Sequence, residues 1–317
     1  MRKSIYVVFH RHGQRAPAKE ITNDLDIWKS LIVTTGEVNS LQSRYPILQH
    51  CLNSEPYDKK TEPYGHLTTQ GATYLESVGA NIRNRFFLGG HTSISLSTVS
   101  TNYLRTQNSA QHLLNGLEIE GVVPVNVRLT RDCSLSFYDQ NPSRASKLIA
   151  LTQATPDFKQ QEITMKKVVA EMTREFPLLQ KANKGFDWLS AFDYFVCREA
   201  HGIPLLESMR PLSEAVKTYV SSRYGYYLRH KDHIALLAAP MLRDVLEAIK
   251  RSFSNHRTVT HDVTVYSCHD INLLGLLYAL GSPLTSTEGL PQPQLNNYSQ
   301  CMCILILSIV TSNPKTL

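Results

Sequence analysis

The chain has 317 residues, 42% hydrophobic and 19% charged. That is enough to bury one large core or two modest ones, and it excludes disordered and fibrous classes. The 33 Lys and Arg against 27 Asp and Glu give a formal charge of +6, with basic runs no longer than pairs such as Lys59-Lys60, which argues against a nucleic-acid partner.

The opening run, residues 4–9 (SIYVVF), is β-branched and aromatic without alternation, as expected of a strand buried on both faces of a parallel sheet. It runs into a polar Gly- and Pro-containing segment, 10–17. Residues 20–66 show weak periodicity and are read as excursions above the sheet. From Thr68 the spacing of Leu75, Val78, Ile82 and Phe86 predicts a helix closed by Gly89-Gly90. A short strand is expected at 92–97, then a helix capped from Ser100-Thr101-Asn102, with Leu104, Leu113, Leu114 and Leu117 on one side.

Residues 131–200 carry helix-like stretches and many aromatics, as expected of a helical insert. Regularity returns with an amphipathic stripe at 236–253, a strand at 263–267, a Leu-rich helix stopped by Gly281 and a last strand at 302–309. This order predicts an α/β fold: a three-layer α/β sandwich with a central mixed sheet and a smaller, mostly helical inserted cap. The expected boundaries are 1–130 and 215–317 for the core and 131–214 for the cap.

Six cysteines (51, 133, 197, 268, 301, 303) form no CxxC pair, so neither a small disulfide scaffold nor a structural zinc site is expected. The longest apolar run, 301–310, is half the length of a membrane span. The N-terminus lacks the apolar region and cleavage site of a signal peptide, which fits either an intracellular chain or a processed one.

The strongest chemical signal follows the first strand: Arg11-His12-Gly13-Gln14-Arg15-Ala16-Pro17. Ligands of open α/β sheets bind at the carboxyl ends of strands. Two guanidiniums suit phosphate oxygens, and a neutral imidazole is a competent nucleophile. An isolated Arg-His pair would read as a basic surface loop; the placement of several fixed positions after a buried strand favours chemistry. Ser267-Cys268-His269-Asp270 also follows a β-branched run. Its His-Asp pair reads as a metal site, a structural hydrogen bond, or an acid beside an anion-binding imidazole. Arg105, near a helix start, would alone be an ordinary solvated arginine.

Together these residues resemble the histidine acid phosphatase family, the acid-phosphatase/phytase branch of the histidine phosphatase superfamily. Residues 11–17 match its RHGxRxP signature and Cys268-His269-Asp270 its late HD dipeptide. The segment Pro63-Tyr64-Gly65-His66-Leu67-Thr68, with Gly71 and Gly79, is similar to PxGxLTxxG. Ser100 to Thr106, with Ser109-Ala110, is similar to STDxxRTxxSA.

The resemblance implies hydrolysis of phosphate monoesters without metal or other cofactor. Arg11, Arg15, Arg105 and His269 would bind the phosphoryl group, and His12 would attack phosphorus to give a phosphohistidine. Asp270 would protonate the leaving alcohol, then help activate water. A carboxyl group in this role points to an acidic optimum, since free Asp titrates near 3.9. The resemblance also pairs Cys197 with Cys301, a bridge worth about 3–5 kcal/mol for a loop of about one hundred residues; the alternative is two buried thiols of a cytosolic protein. It implies a secreted or lysosomal setting, while the missing signal peptide keeps a cytoplasmic one open, and a homodimer is left open.

The chain departs from the pattern at Val99, where Arg is common, at Asn102 in place of Asp, and at Gln14, where many members have Asp. It also ends soon after its last strand. Rival readings are a non-catalytic phospholigand-binding member, a more specialised phytase or lysophosphatidate phosphatase, a phosphomutase, and a metalloenzyme using some of the 12 histidines.

Overall fold

The computed structural model describes residues 3–49, 62–87, 93–128, 134–136, 141–181, 185–254, 261–281 and 304–311. The opening apolar run forms strand β1 (Lys3–Arg11). Its alternate side chains divide between two cores: Tyr6 and Val8 enter one, Val7 and Phe9 the other. This explains the absence of polar alternation, because neither face meets water.

Around β1 lie β2 (Ile47–Gln49), β3 (Ile94–Ser100), β4 (Val125–Val127), β7 (His261–Cys268) and β8 (Ile304–Thr311), in the order β2-β4-β3-β7-β1-β8. All neighbours are parallel except the edge pair β1–β8. Helices α3 (Thr69–Phe86) and α4 (Leu104–Leu117) cover one face through Leu75, Val78, Leu113 and Leu117. Helices α10 (Lys231–Ser254) and α11 (Asp270–Ala279) cover the other through Met241, Val245, Leu273 and Leu276. The molecule is therefore an α/β sandwich on a mixed sheet, as the element order predicts.

Helices α5 (Pro142–Gln153), α6 (Pro156–Thr164), α7 (Lys166–Glu175), α8 (Trp188–Ala200) and α9 (Arg210–Leu228) follow the sheet's β4, with a two-strand ribbon, β5 (Gln180–Lys181) and β6 (Gly185–Phe186), among them. Met172, Trp188, Tyr194, Phe195, Val216 and Tyr219 form a core of their own. Helix α9 is continuous across residue 214. Among the described residues no helix is long and apolar enough to cross a membrane.

Three local expectations shift. The strand expected at 92–97 runs from Ile94 to Ser100, because its ladder with β7 continues to the Ser100–Ser267 pair. Ser100 is thus a strand residue and not a cap, and α4 starts after Tyr103 without a side-chain cap. Residues 20–66 contain helices α1 (Leu25–Leu31) and α2 (Thr35–Gln42) as well as β2. Trp28 is the one buried residue of α1 and α2 has none, so no apolar period announces either.

Helices α3 and α4 meet through glycines. A Cβ on Gly116 would lie 1.9 Å from the Glu76 carbonyl oxygen, and one on Gly79 would lie 2.2 Å from that of Leu113. Both obstacles are backbone and cannot rotate away. Gly116→Ala is expected to cost about 2–3 kcal/mol by forcing the helices apart. Urea unfolding checks this as a lower midpoint at unchanged slope.

Candidate active site

Strands β1, β3 and β7 are adjacent, and each continues beyond its carboxyl end into a residue of chemical interest. The His12 amide donates to the Cys268 carbonyl (3.0 Å), and the Thr101 amide to the Ser267 carbonyl (3.3 Å). His12, Thr101 and His269 thus emerge side by side at the top of the sheet, where open α/β sheets bind ligands.

The loop after β1 is clamped by close backbone approach. A Cβ on Gly13 would lie 2.7 Å from the Gly71 carbonyl oxygen, and one on Gly71 would lie 2.3 Å from that of Gln14. Ser109 Oγ accepts from the Gly13 amide (2.9 Å), and the Gln14 carbonyl accepts from the Thr68 amide (3.0 Å). The glycines at 13 and 71 therefore fix the loop against the start of α3.

His12 is 4% exposed. Its Nδ1 lies 2.8 Å from the Gly13 carbonyl oxygen. A carbonyl only accepts, so Nδ1 carries the hydrogen and the lone pair of the neutral ring resides on Nε2. Burial, then the positive charges of Arg105, Arg11 and Arg15, hold His12 well below the usual imidazole range. It therefore remains uncharged into acid.

Fully buried His10 behaves likewise, its pKa pushed down to about 4 by burial. Both rings have folded pKa values below the unfolded 6.5, so the unfolded chain takes up protons first. Stability is therefore lost as pH falls through 6.5 toward about 4. Removing the titration with His10→Gln is expected to flatten the loss between pH 7 and 4.5 by about 2–3 kcal/mol. Denaturant unfolding of both proteins at the two pH values checks it.

The expected phosphate ligands surround His12 in different states. Arg11 Nη2 lies 3.5 Å from Asp270 Oδ2. The Arg105 guanidinium stacks 4.3 Å from the Tyr103 ring centre, and that ring meets His269 edge-on at 4.9 Å. Arg15 grips Asp193 of α8 with both ends of its fork, at 2.8 and 3.0 Å, and its buried Nε has no hydrogen-bond partner. Burial penalises the Arg15 charge, yet Asp193 raises its pKa and keeps it ionised.

His269 Nε2 lies 3.2 Å from Thr101 Oγ1, and its amide donates to Asn272 Oδ1 (3.0 Å). Asn272, wholly buried, in turn donates to the Leu135 carbonyl (2.8 Å) and braces the corner. Asp270 opens α11 with Oδ1 accepting from the Ile271 amide (2.7 Å).

All six expected residues, Arg11, His12, Arg15, Arg105, His269 and Asp270, line one cavity of about 430 Å³. Leu189, Phe192, Asp193 and Val196 of α8 and Tyr224 of α9 form another part of its wall. Nothing in the sequence marks Asp193 or Asn272, and Thr101 stands out only as part of the Ser100–Thr106 run. Asp193 and Thr101 act through partners far along the chain, whereas Asn272 joins the nearby His269 amide to the distant Leu135 carbonyl.

The departures from the family pattern fit their surroundings. Val99 is buried in the core beneath α10 and α11, and Asn102 accepts from Gln107 Nε2 (3.4 Å), so the uncharged Asn faces an uncharged partner. Gln14 contributes its backbone carbonyl to the clamp. Cys197 Sγ is buried 3.6 Å from Asp193 Oδ1 and 3.8 Å from Arg15, with its thiol pKa pushed up by burial and then by Asp193. Its expected partner, Cys301, lies outside the described residues. Among the described residues, no three His, Cys, Asp or Glu side chains converge to hold a metal ion.

The family model for the histidine phosphatase superfamily (branch 2) matches residues 5–311. Among solved structures, the phytase from Citrobacter braakii is similar over 89% of this chain and 76% of its own, with 16% identity and a TM-score of 0.54. A multiple inositol polyphosphate phosphatase from Bifidobacterium longum, solved with inositol hexasulfate, is similar over 96% and 83%, with 11% identity and a TM-score of 0.53. At these identities the likeness is one of fold. No curated protein matches the chain.

Proposed function

From the premise that this chain belongs to branch 2 of the histidine phosphatase superfamily, and so to a family of phosphatases, we propose that it hydrolyses phosphate monoesters through a phosphohistidine on His12. The observation that carries this reading is the Nδ1–Gly13 hydrogen bond, which leaves the Nε2 lone pair as the attacking atom among three arginines.

In the first step Nε2 attacks phosphorus and the bond to the alcohol oxygen breaks, with Asp270 giving that oxygen its proton. Arg11, Arg105, His269 and the Nε edge of Arg15 balance the charge on the phosphoryl oxygens. In the second step water attacks phosphorus, the Asp270 carboxylate takes its proton, and the P–N bond breaks to release inorganic phosphate. The need for a protonated Asp270 in the first step gives an acidic optimum. The helices from α5 to α9 act in this reading as a cap, holding Arg15 in place through Asp193.

The arginine cage supplies the positive charge that a metal would otherwise provide, so activity is expected to persist in EDTA. Quenching a turnover mixture in alkali, which phosphohistidine survives and acid destroys, should yield a phosphorylated peptide containing His12. Activity abolished by chelator and restored by zinc or magnesium, or a phosphoryl group found on another residue, would count against the reading. The names of the structural neighbours place inositol phosphates among the substrates to assay.

A further inference from the structure

A second cavity of about 380 Å³ adjoins the first, and Asp187, Leu189, Tyr224 and Asp270 line both. Its own walls are apolar and aromatic, chiefly Ile149, Phe186, Trp188, Tyr227 and Ile271. Asp270 stands on the border between the two. In the proposed reaction it touches the oxygen that joins phosphorus to the alcohol, so the alcohol extends from Asp270 away from His12, toward this chamber.

Among the described residues that line the two cavities, the cations away from the phosphate site are already committed. Arg223 pairs with Glu162, lies over the Phe158 ring at 5.0 Å and donates to Tyr227 Oη (3.3 Å). Lys19, on the wall of the first cavity, holds Asp187 Oδ2 at 2.8 Å. Asp187 also accepts from the Ser190 amide and hydroxyl at the start of α8. Each further phosphate on a substrate would need a cation to receive it, and using Lys19 or Arg223 would strip a carboxylate of its partner. A flat apolar group needs no such exchange and gains the dispersion and burial energy of the aromatic walls. An apolar cavity of about 150 Å³ already accepts a benzene ring.

We propose that this second cavity is the leaving-group site, and that it selects monoesters of aromatic, uncharged alcohols over multiply phosphorylated ones. The proposal rests on the phosphatase reading, and its test separates the two. The probes are 3-phenylpropyl phosphate and propyl phosphate, whose alcohols are nearly equal in basicity, so that a difference in kcat/KM reports contacts and not leaving-group chemistry. The aromatic ester is expected to win by about ten- to a hundredfold, the scale of burying one ring. It should also outrun inositol hexakisphosphate.

Tyr224→Ala and Ile149→Glu, which remove a wall and place a charge inside the chamber, should each reduce the preference at least severalfold. The corresponding phosphonates, titrated calorimetrically, should show the same preference in Kd without any turnover. A ratio near one for both esters and phosphonates, a preference unchanged in both variants, or faster hydrolysis of inositol hexakisphosphate would overturn the proposal while leaving the phosphatase reading intact. Preferential phosphonate binding without hydrolysis of either ester would support the cavity's preference for an aromatic group and overturn the phosphatase reading.

Discussion

His12→Ala is expected to lower kcat for any phosphomonoester by roughly four orders of magnitude or more, because the variant lacks the attacking atom and not merely a contact. Among the described residues, two other imidazoles line the cavity: His201 has both ring nitrogens hydrogen-bonded, with Thr68 and Cys197, and the His269 ring centre lies 5.6 Å from that of His12 at 69° to it. His269 Nε2 also lies against Thr101. The arginines remain, so the variant should still bind inorganic phosphate. Calorimetry of phosphate binding alongside single-turnover kinetics checks both halves: lost chemistry with retained affinity. Residual activity within tenfold of wild type would mean that phosphorus is attacked by something else.

Asp270→Asn is expected to act selectively. An amide cannot give a proton to the leaving oxygen, and general acid catalysis contributes typically 10²- to 10⁴-fold. For an alkyl phosphate, whose alkoxide is a poor leaving group, a loss of about 10³-fold is expected, whereas nitrophenyl phosphate, which departs without help, should lose far less in its first step. The variant also removes the carboxylate 3.5 Å from Arg11, so KM is expected to change modestly for both substrates. A plot of log kcat/KM, which reports the first step alone, against leaving-group pKa should steepen. Equal losses of kcat/KM on both substrates would assign the proton to another group.

Which of these features could be read from the chain follows from how local their cause is. Strand β1 was legible because five consecutive apolar residues, Ile5 to Phe9, need two buried faces, and α3 because its apolar residues recur at helical spacing. The segments after β1 and β7 were legible because residue types and strand ends coincide in the sequence itself. The grip of Asp193 on Arg15 spans 178 positions, and nothing near Asp193 distinguishes it from any polar residue of a helix. The second cavity is equally non-local, since its walls come from α5, β6, α8, α9 and α11. Helices α1 and α2 were missed because α1 buries only Trp28 and α2 buries nothing.

The pairing of β1 has a consequence for synthesis. Both of its neighbours in the sheet, β7 and β8, come from the far end of the chain, and the Cys268 thiol meets the His10 carbonyl across 258 positions. At about 5–20 residues per second, a nascent β1 waits roughly ten to fifty seconds for β7 to be translated. Throughout that interval an uncharged apolar segment, residues 4–9, has two open edges, the condition that invites pairing with another chain. Soluble yield is therefore expected to depend on kinetics as much as on final stability. Holdase chaperones present during translation are expected to raise it more than any stabilising substitution on the finished surface, and high contact order should make unassisted refolding slow.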